Sequence, residues 1–394
     1  MSKLIHSLFI ILHLCLNAVA QEINYQAIST LQPENYEQLA FLKNEIGDAQ
    51  IVFLGEQDHG DGGAMLAKTM LTKFLIQDMG FSVIAFEGDL ITLNDSTLSL
   101  DEKWDKLAGI WKNSDQMIPL YNFLKSSNIT LSGFDLFGST GFNDFKAMYW
   151  DYAADLTQYT QAEVNIALNA IFFDKKSAKD LKKEVYRITP LIIEQSTGFD
   201  RQVFKSFQYV IDSYKQLSTK KRTGLEKYFE RDTQMGLNLD WLMRNKFKGE
   251  KVIVWAANFH IANNPNKVVS ERSWRFKSGN LQTLGNTFEE VSDIETYRIA
   301  VTSYGGKYAD WGYDKNKHIA IVPQRHNDDS LEKWLANKPI DYAFVPLAPI
   351  SAKFSLSGFV HKAFHGDWAK VFDAVFYMKE MTPSTYTGSI ETTQ

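Results

Sequence analysis

The chain has 394 residues, a formal net charge of −5, 44% hydrophobic and 13% aromatic residues, and one cysteine. This length and apolar content allow a large packed core, and no basic block or basic–aromatic stripe points to a nucleic-acid partner. The lone cysteine is Cys15, so disulfides, thiolate nucleophiles and cysteine-based metal sites are excluded from everything that follows it.

Residues 1–20 read as a secretory signal peptide. Lys3 gives a positive start, an apolar run extends from Leu4 to Leu16, and Ala18-Val19-Ala20 fits the small-residue cleavage pattern. The run is shorter than the roughly 20 residues of a membrane-spanning helix. The expected mature chain starts at Gln21 and is secreted or periplasmic, with no membrane contact after cleavage. A mature chain without cysteine suits an oxidising compartment.

Ile51-Val52-Phe53-Leu54-Gly55 is a short apolar run ending at glycine and reads as a buried strand. Asp61-Gly62-Gly63 follows as a loop. Ala64 to Met79 carries Met65, Leu66, Met70, Leu71, Phe74 and Leu75 at helical spacing, and Gly80 stops the helix. Ser82 to Phe86 is a second strand. Strand, helix and strand in close succession form a βαβ unit, so these two strands are expected to be parallel neighbours. A third strand is expected at Ile129 to Phe134.

From about Phe142 to Arg244 strand signals vanish, and Lys, Glu, Leu, Ala and Gln recur with helical period. Several helices are expected, broken near Thr189-Pro190 and near Ser196-Thr197-Gly198. Strands resume with Lys251 to Ala256, then Tyr297 to Thr302, Tyr342 to Leu347 and Phe372 to Met378. The expected fold is α/β: a largely parallel sheet flanked by helices. The helical zone is an inserted cap on one composite domain spanning residues 21–394, and it is expected to fold over the sheet's edge as one wall of a cleft. A polar Ser/Thr tail follows Pro383.

In open parallel sheets ligands bind outside the carboxyl ends of the strands. Glu56 and His59 follow the first strand, Glu87 and Asp89 the second, Asp135 the third, and Asn258 and His260 the strand ending at Ala256. Four strands thus deliver polar groups to one edge. Taken singly, each has a plain structural role: Glu56 as a helix cap, His59 as a turn residue, Glu87 and Asp89 as a solvated loop pair, Asp135 as a helix cap, His260 as a brace for Asn263-Asn264. For Asp135 the capping role is the preferred reading. No G-x-S-x-G elbow, H-E-x-x-H helix, G-x-G-x-x-G or phosphate-binding loop occurs. A histidine–carboxylate site remains, suited to base-assisted attack by water.

At these residues the sequence resembles the erythromycin esterase family. The G-E-x-x-H-G motif stands as Gly55-Glu56-Gln57-Asp58-His59-Gly60, and the apolar-E-x-D strand end as Phe86-Glu87-Gly88-Asp89. G-x-D matches Gly133-Phe134-Asp135, and R-D-x-x-M-x-x-N matches Arg231 to Asn238. The V-W-A-H-N-x-H pattern matches Val254 to His260, and F-D-A matches Phe372-Asp373-Ala374. The resemblance implies metal-independent, cofactor-free hydrolysis of a small-molecule ester or lactone, such as a macrolide. It implies His59 as general base, oriented by Glu56 and Glu87, with Arg231 and His260 binding substrate or the oxyanion. Lys68 and Asn258 join Arg231 as expected substrate contacts. Two positions depart from the family pattern: Ala257 stands for a histidine, and Lys68 for an arginine, which keeps charge but loses the bidentate fork. Two alternatives stay open at this point. One is a metal-dependent hydrolase or peptidase using the same His/Glu set. The other is an exported binding protein without activity.

Overall fold

The computed structural model describes residues 23–136, 141–172, 177–217, 224–268, 281–310, 318–322 and 328–386. The signal-peptide expectation for residues 1–20 lies outside the described residues, as does most of the Ser/Thr tail. Among the described residues no helix is long and apolar enough to cross a membrane.

Eleven strands occur among the described residues: β1 (Gln26–Ile28), β2 (Ile51–Leu54), β3 (Val83–Asp89), β4 (Thr130–Asp135), β5 (Val252–Trp255), β6 (Thr296–Asp310), β7 (His318–Ile321), β8 (Tyr342–Pro346), β9 (Phe354–Phe359), β10 (Lys362–Gly366) and β11 (Ala374–Met381). Helices of eight residues or more are α1 (Gly62–Met79), α2 (Ile118–Lys125), α3 (Phe142–Ala153), α4 (Gln161–Phe172), α5 (Lys179–Gln195), α6 (Gly198–Leu217), α7 (Gly224–Asn245) and α8 (Leu284–Val291). The main sheet runs β1-β8-β11-β6-β2-β5-β3-β4, with β7 paired to β6. The six strands from β11 to β4 are mutually parallel, and β1, β7 and β8 run antiparallel to their partners. This is the expected α/β fold with a largely parallel sheet.

Two expectations are corrected. β2 and β3 are parallel but not neighbours, because β5 lies between them, with Val252 in register with both Ile51 and Val83. The chain therefore returns from its helical zone into the middle of the sheet. In that zone, α5 runs straight through Pro190. Buried Val185, Ile188, Thr189 and Ile192 hold the helix in place despite the lost N–H. The expected break between Gln195 and Gly198 is present.

The central strands are buried on both faces, which is why they read as unbroken apolar runs. Alternate side chains serve opposite cores. Ile51, Phe53, Val83, Ala85, Val252 and Val254 pack with Phe145, Leu168, Ile188, Phe207, Leu239 and Phe288 from α3 to α8. Val52, Leu54, Ile84, Phe86, Ile253 and Trp255 pack with Leu71 and Phe74 of α1 and Leu120 of α2. Every described element between β4 and β5 is a helix. These helices form a layer on one face of the sheet, and α7 carries Arg231 and Asp232 toward its carboxyl edge.

β9 and β10 form a separate hairpin whose two-residue loop is Val360-His361. Both loop residues have left-handed backbone, φ 44° and 55°. Such tips favour Asn-Gly, and non-glycine residues held there cost on the order of 1–3 kcal/mol each. The valine is β-branched, so the conformation is imposed by surroundings rather than chosen by the sequence.

Candidate active site

The segment after β2 turns sharply before entering α1. Asp58 Oδ1 accepts the Gly60 N–H at 3.0 Å, and Asp61 Oδ2 accepts the Asp58 N–H at 3.0 Å. The Gly60 carbonyl accepts from the N–H groups of Ala309 and Ser384. A Cβ on Gly60 would run into the Ala309 carbonyl, so the approach requires glycine.

This turn presents His59. Its Nδ1 lies 3.0 Å from Glu56 Oε1. A carboxylate can only accept, so Nδ1 carries the proton and Nε2 keeps a lone pair. Glu56 is buried, and its Oε2 accepts from the Lys68 ammonium. Lys68 is wholly buried, 4.1 Å from the centre of the Trp255 ring, and donates to the Ala256 carbonyl at 3.3 Å. Burial pulls its ammonium down to about 8 against the pull of Glu56. Trp111 stands edge-on to the His59 ring at 5.5 Å.

The second cluster is built by β3, β4, β5 and α7. Arg231 donates to Asp135 Oδ2 through Nε (3.0 Å) and Nη2 (2.7 Å), and to Glu87 Oε1 through Nη2 (2.8 Å). His260 lies in the short turn Asn258–Ile261 after β5. Its Nε2 is 3.2 Å from Glu87 Oε1, and its Nδ1 is 2.8 Å from Asp232 Oδ2. Both ring nitrogens face carboxylates, so both must donate, and His260 is an imidazolium. Burial opposes this charge, but Asp232 and Glu87 outweigh it and push His260 up to about 10. Burial likewise disfavours charge on Glu87, yet His260 and Arg231 hold it well below the usual carboxylate range. Burial raises Asp232, with His260 and Arg231 opposing.

The two clusters act on each other. Burial lowers His59, but the Glu56 hydrogen bond and the charges of Glu87 and Glu56 overcome it, and the net direction is up. Exposure sorts the roles. The side chains of His59, Arg231 and His260 are 33%, 24% and 12% exposed, against 2% for Glu56 and none for Lys68 and Asp232. The first three keep part of their side chains exposed at the carboxyl edge, and the others hold them. Glu87 Oε2 and Arg231 Nη1 make no hydrogen bond to the described residues.

His59, Glu56, Glu87, His260 and Arg231 thus gather at one sheet edge. Three expectations are corrected. Lys68 is sealed beneath Glu56, out of a ligand's reach, because α1 is buried on nearly all sides. Asn258 is fully buried and its amide is spent on backbone: Nδ2 donates to the Val301 and Gly358 carbonyls, and Oδ1 accepts the Val301 N–H. Asp135 pairs with Arg231 instead of capping a helix. Asp89 is also no solvated loop residue; its Oδ1 accepts from the N–H groups of Ile91 and Thr92. Asp232 was not singled out as a site residue, although it stands in the R-D-x-x-M-x-x-N motif.

Known proteins agree with this architecture. The chain matches the family model described as erythromycin esterase over residues 76–381, which includes Glu87, Arg231, Asp232 and His260; Glu56 and His59 precede the matched stretch. It is 23% identical over 342 residues to YbfO of Bacillus subtilis (strain 168), which carries a hydrolase name, covering 76% of this chain and 75% of that protein. An erythromycin esterase mutant, EreC, in its open conformation superposes with a TM-score of 0.69 at 17% identity, covering 93% of this chain and 100% of that one. A Bacillus cereus protein superposes with a TM-score of 0.70 at 16% identity, covering 92% and 97%. A succinoglycan biosynthesis protein does so with a TM-score of 0.67 at 20% identity, covering 92% and 96%. On the extent of the family match, this chain belongs to the erythromycin esterase family of hydrolases.

Proposed function

We propose that the protein hydrolyses an ester or lactone bond of a small molecule by direct attack of water, with His59 as general base and no metal. The observation that carries this reading is the Glu56–His59 pair: a buried carboxylate fixes the Nδ1–H tautomer and leaves Nε2 basic on a side chain that stays one third exposed. In the attack, water oxygen bonds to the acyl carbon as Nε2 takes its proton. The carbonyl oxygen becomes an oxyanion beside Arg231 and His260, whose fixed positive charges stabilise it. Collapse breaks the acyl–oxygen bond, and the proton on Nε2 passes to the leaving alkoxide. Glu87 Oε2 is a buried acceptor with an open lone pair, suited to orienting the water or a substrate hydroxyl.

The test is a panel of macrolides, simple lactones and acyl esters incubated with the protein, with and without a chelator, and read by mass spectrometry. The expected lactone product carries the mass of one added water, and chelation leaves the rate unchanged. Activity lost to chelation and restored by zinc or manganese would instead favour a metal-dependent hydrolase. We further propose that the protein is exported, on the strength of the Ala18-Val19-Ala20 pattern; native N-terminal sequencing is expected to begin at Gln21.

A further inference from the structure

Outside the two clusters, the described residues hold another buried histidine–carboxylate pair, His361 with Asp61. His361 Nε2 lies 3.0 Å from Asp61 Oδ1, both residues are buried, and the ring lies tilted by 35° against Tyr308 with centroids 4.4 Å apart. His361 sits in the left-handed tip of the β9–β10 hairpin, beside Val360. Three observations show what holds this unfavourable tip in place. The Val360 N–H donates to the Gln57 carbonyl at 3.2 Å. The Gln57 side chain in turn donates to the Ser357 carbonyl and accepts from Ser303 Oγ. Asp61 occupies the N-cap position of α1, yet its side chain makes no cap hydrogen bond; it is turned to His361 and to the Asp58 N–H.

The hairpin tip therefore grips Gln57 and Asp61. These residues stand two before and two after His59. We propose that His361 is a positioning residue for His59: through Asp61 it fixes the turn that aims the His59 ring, and the strained Val360-His361 tip persists because that grip holds it. The inference rests on the hydrolytic reading for its kinetic consequence, but its geometric consequence stands apart from it. Strain of this kind is found where surrounding structure over-determines a functional segment. The groups facing His361 are Asp61, Asp58 and Tyr308; burial opposes its charge, and the two carboxylates raise it on balance.

The experiment uses the full chain with histidine labelled at Cε1 for NMR titration, and p-nitrophenyl acetate as the kinetic probe. The double variant Val360→Asn/His361→Gly installs the dipeptide such a turn favours and removes the His361–Asp61 contact, while the backbone bond of residue 360 to Gln57 is kept, so the hairpin keeps its fold. His361→Gln is the rescue, because its amide nitrogen reaches toward Asp61 as Nε2 does. In the double variant the His59 titration is expected to fall toward the ordinary histidine range. Its kcat falls about ten- to a hundredfold with KM moving less than about twofold, as a displaced catalytic group requires. His361→Gln recovers most of both. An unmoved His59 titration in a folded double variant overturns the proposal, as does a Gln variant no better than the double variant. Absence of p-nitrophenyl acetate turnover by the unaltered chain would count against the hydrolytic reading alone, and the titration would still decide the role of His361.

Discussion

Replacing His59 with alanine is expected to lower kcat by about 10²–10⁴-fold, the usual worth of general-base assistance. The fold is expected to survive, since one third of the His59 side chain is exposed and it contributes little to either core. Removing it leaves Glu56 with its Lys68 partner, so no buried charge is orphaned. Circular dichroism and thermal unfolding of the variant separate loss of chemistry from loss of structure. His59→Gln is a stricter version: it keeps a donor toward Glu56 but offers no basic nitrogen, and it should be as inactive as alanine. Near-normal turnover by either variant would remove His59 from the mechanism.

The second large effect is expected at Arg231. Arg231→Met should lower kcat by about 10²–10³-fold, the range for deleting one oxyanion donor. It also strips Asp135 and Glu87 of their shared partner, and breaking a buried ion pair by removing one member costs about 3–5 kcal/mol. Arg231→Lys is the control that isolates the chemistry. A lysine keeps the charge and much of the stability, but its three N–H donors on one nitrogen cannot reproduce the planar fork that bonds Asp135 twice and Glu87 once and still leaves Nη1 over. Its kcat should therefore stay at least about tenfold low while denaturant unfolding moves much less than in the methionine variant. Arg231→Lys with full activity would show that charge alone suffices and that Nη1 has no role as a directed donor.

Much of this site was legible in the sequence because the central strands are buried on both faces. Apolar runs such as Ile51 to Leu54 and Val252 to Trp255 are unambiguous, and the polar residue after each must lie at the carboxyl edge. That logic brought Glu56, His59, Glu87 and His260 together without coordinates. It failed where side-chain direction decides the role. Asn258 follows a strand just as Glu56 does, but its amide turns inward to brace Val301 and Gly358. Lys68 is expected from its place in the motif set to reach substrate, and only the packing of α1 buries it instead. Asp232 belongs to a helix far along the chain, and its pairing with His260 is a tertiary contact that no local pattern encodes.

Strand β9 and the far half of β6 escaped notice for one cause. β9 alternates Ser355, Ser357 and Gly358 with its apolar residues, and β6 runs on past Gly305-Gly306 as far as Asp310. Serine and glycine at those positions read as loop. In the structure both strands flank the His59 turn, where small residues let backbone approach closely; Gly60 meets Ala309 there. The position of β5 between β2 and β3 was equally hidden, since strand order is a property of long-range pairing.

The most direct test of the central claim is the pH dependence of kcat/KM for a responsive ester. Only neutral imidazole can take the proton from water, so activity must rise with pH as His59 deprotonates. Glu56 and Glu87 favour the protonated ring, and the net direction for His59 is upward. The account therefore predicts a single rising limb centred above the ordinary histidine value of about 6.5. Removing the negative charge of Glu56 by Glu56→Gln should shift that limb to lower pH. A rate flat through the titration of His59, or one that falls as pH rises through it, would contradict the assignment of His59 as the base.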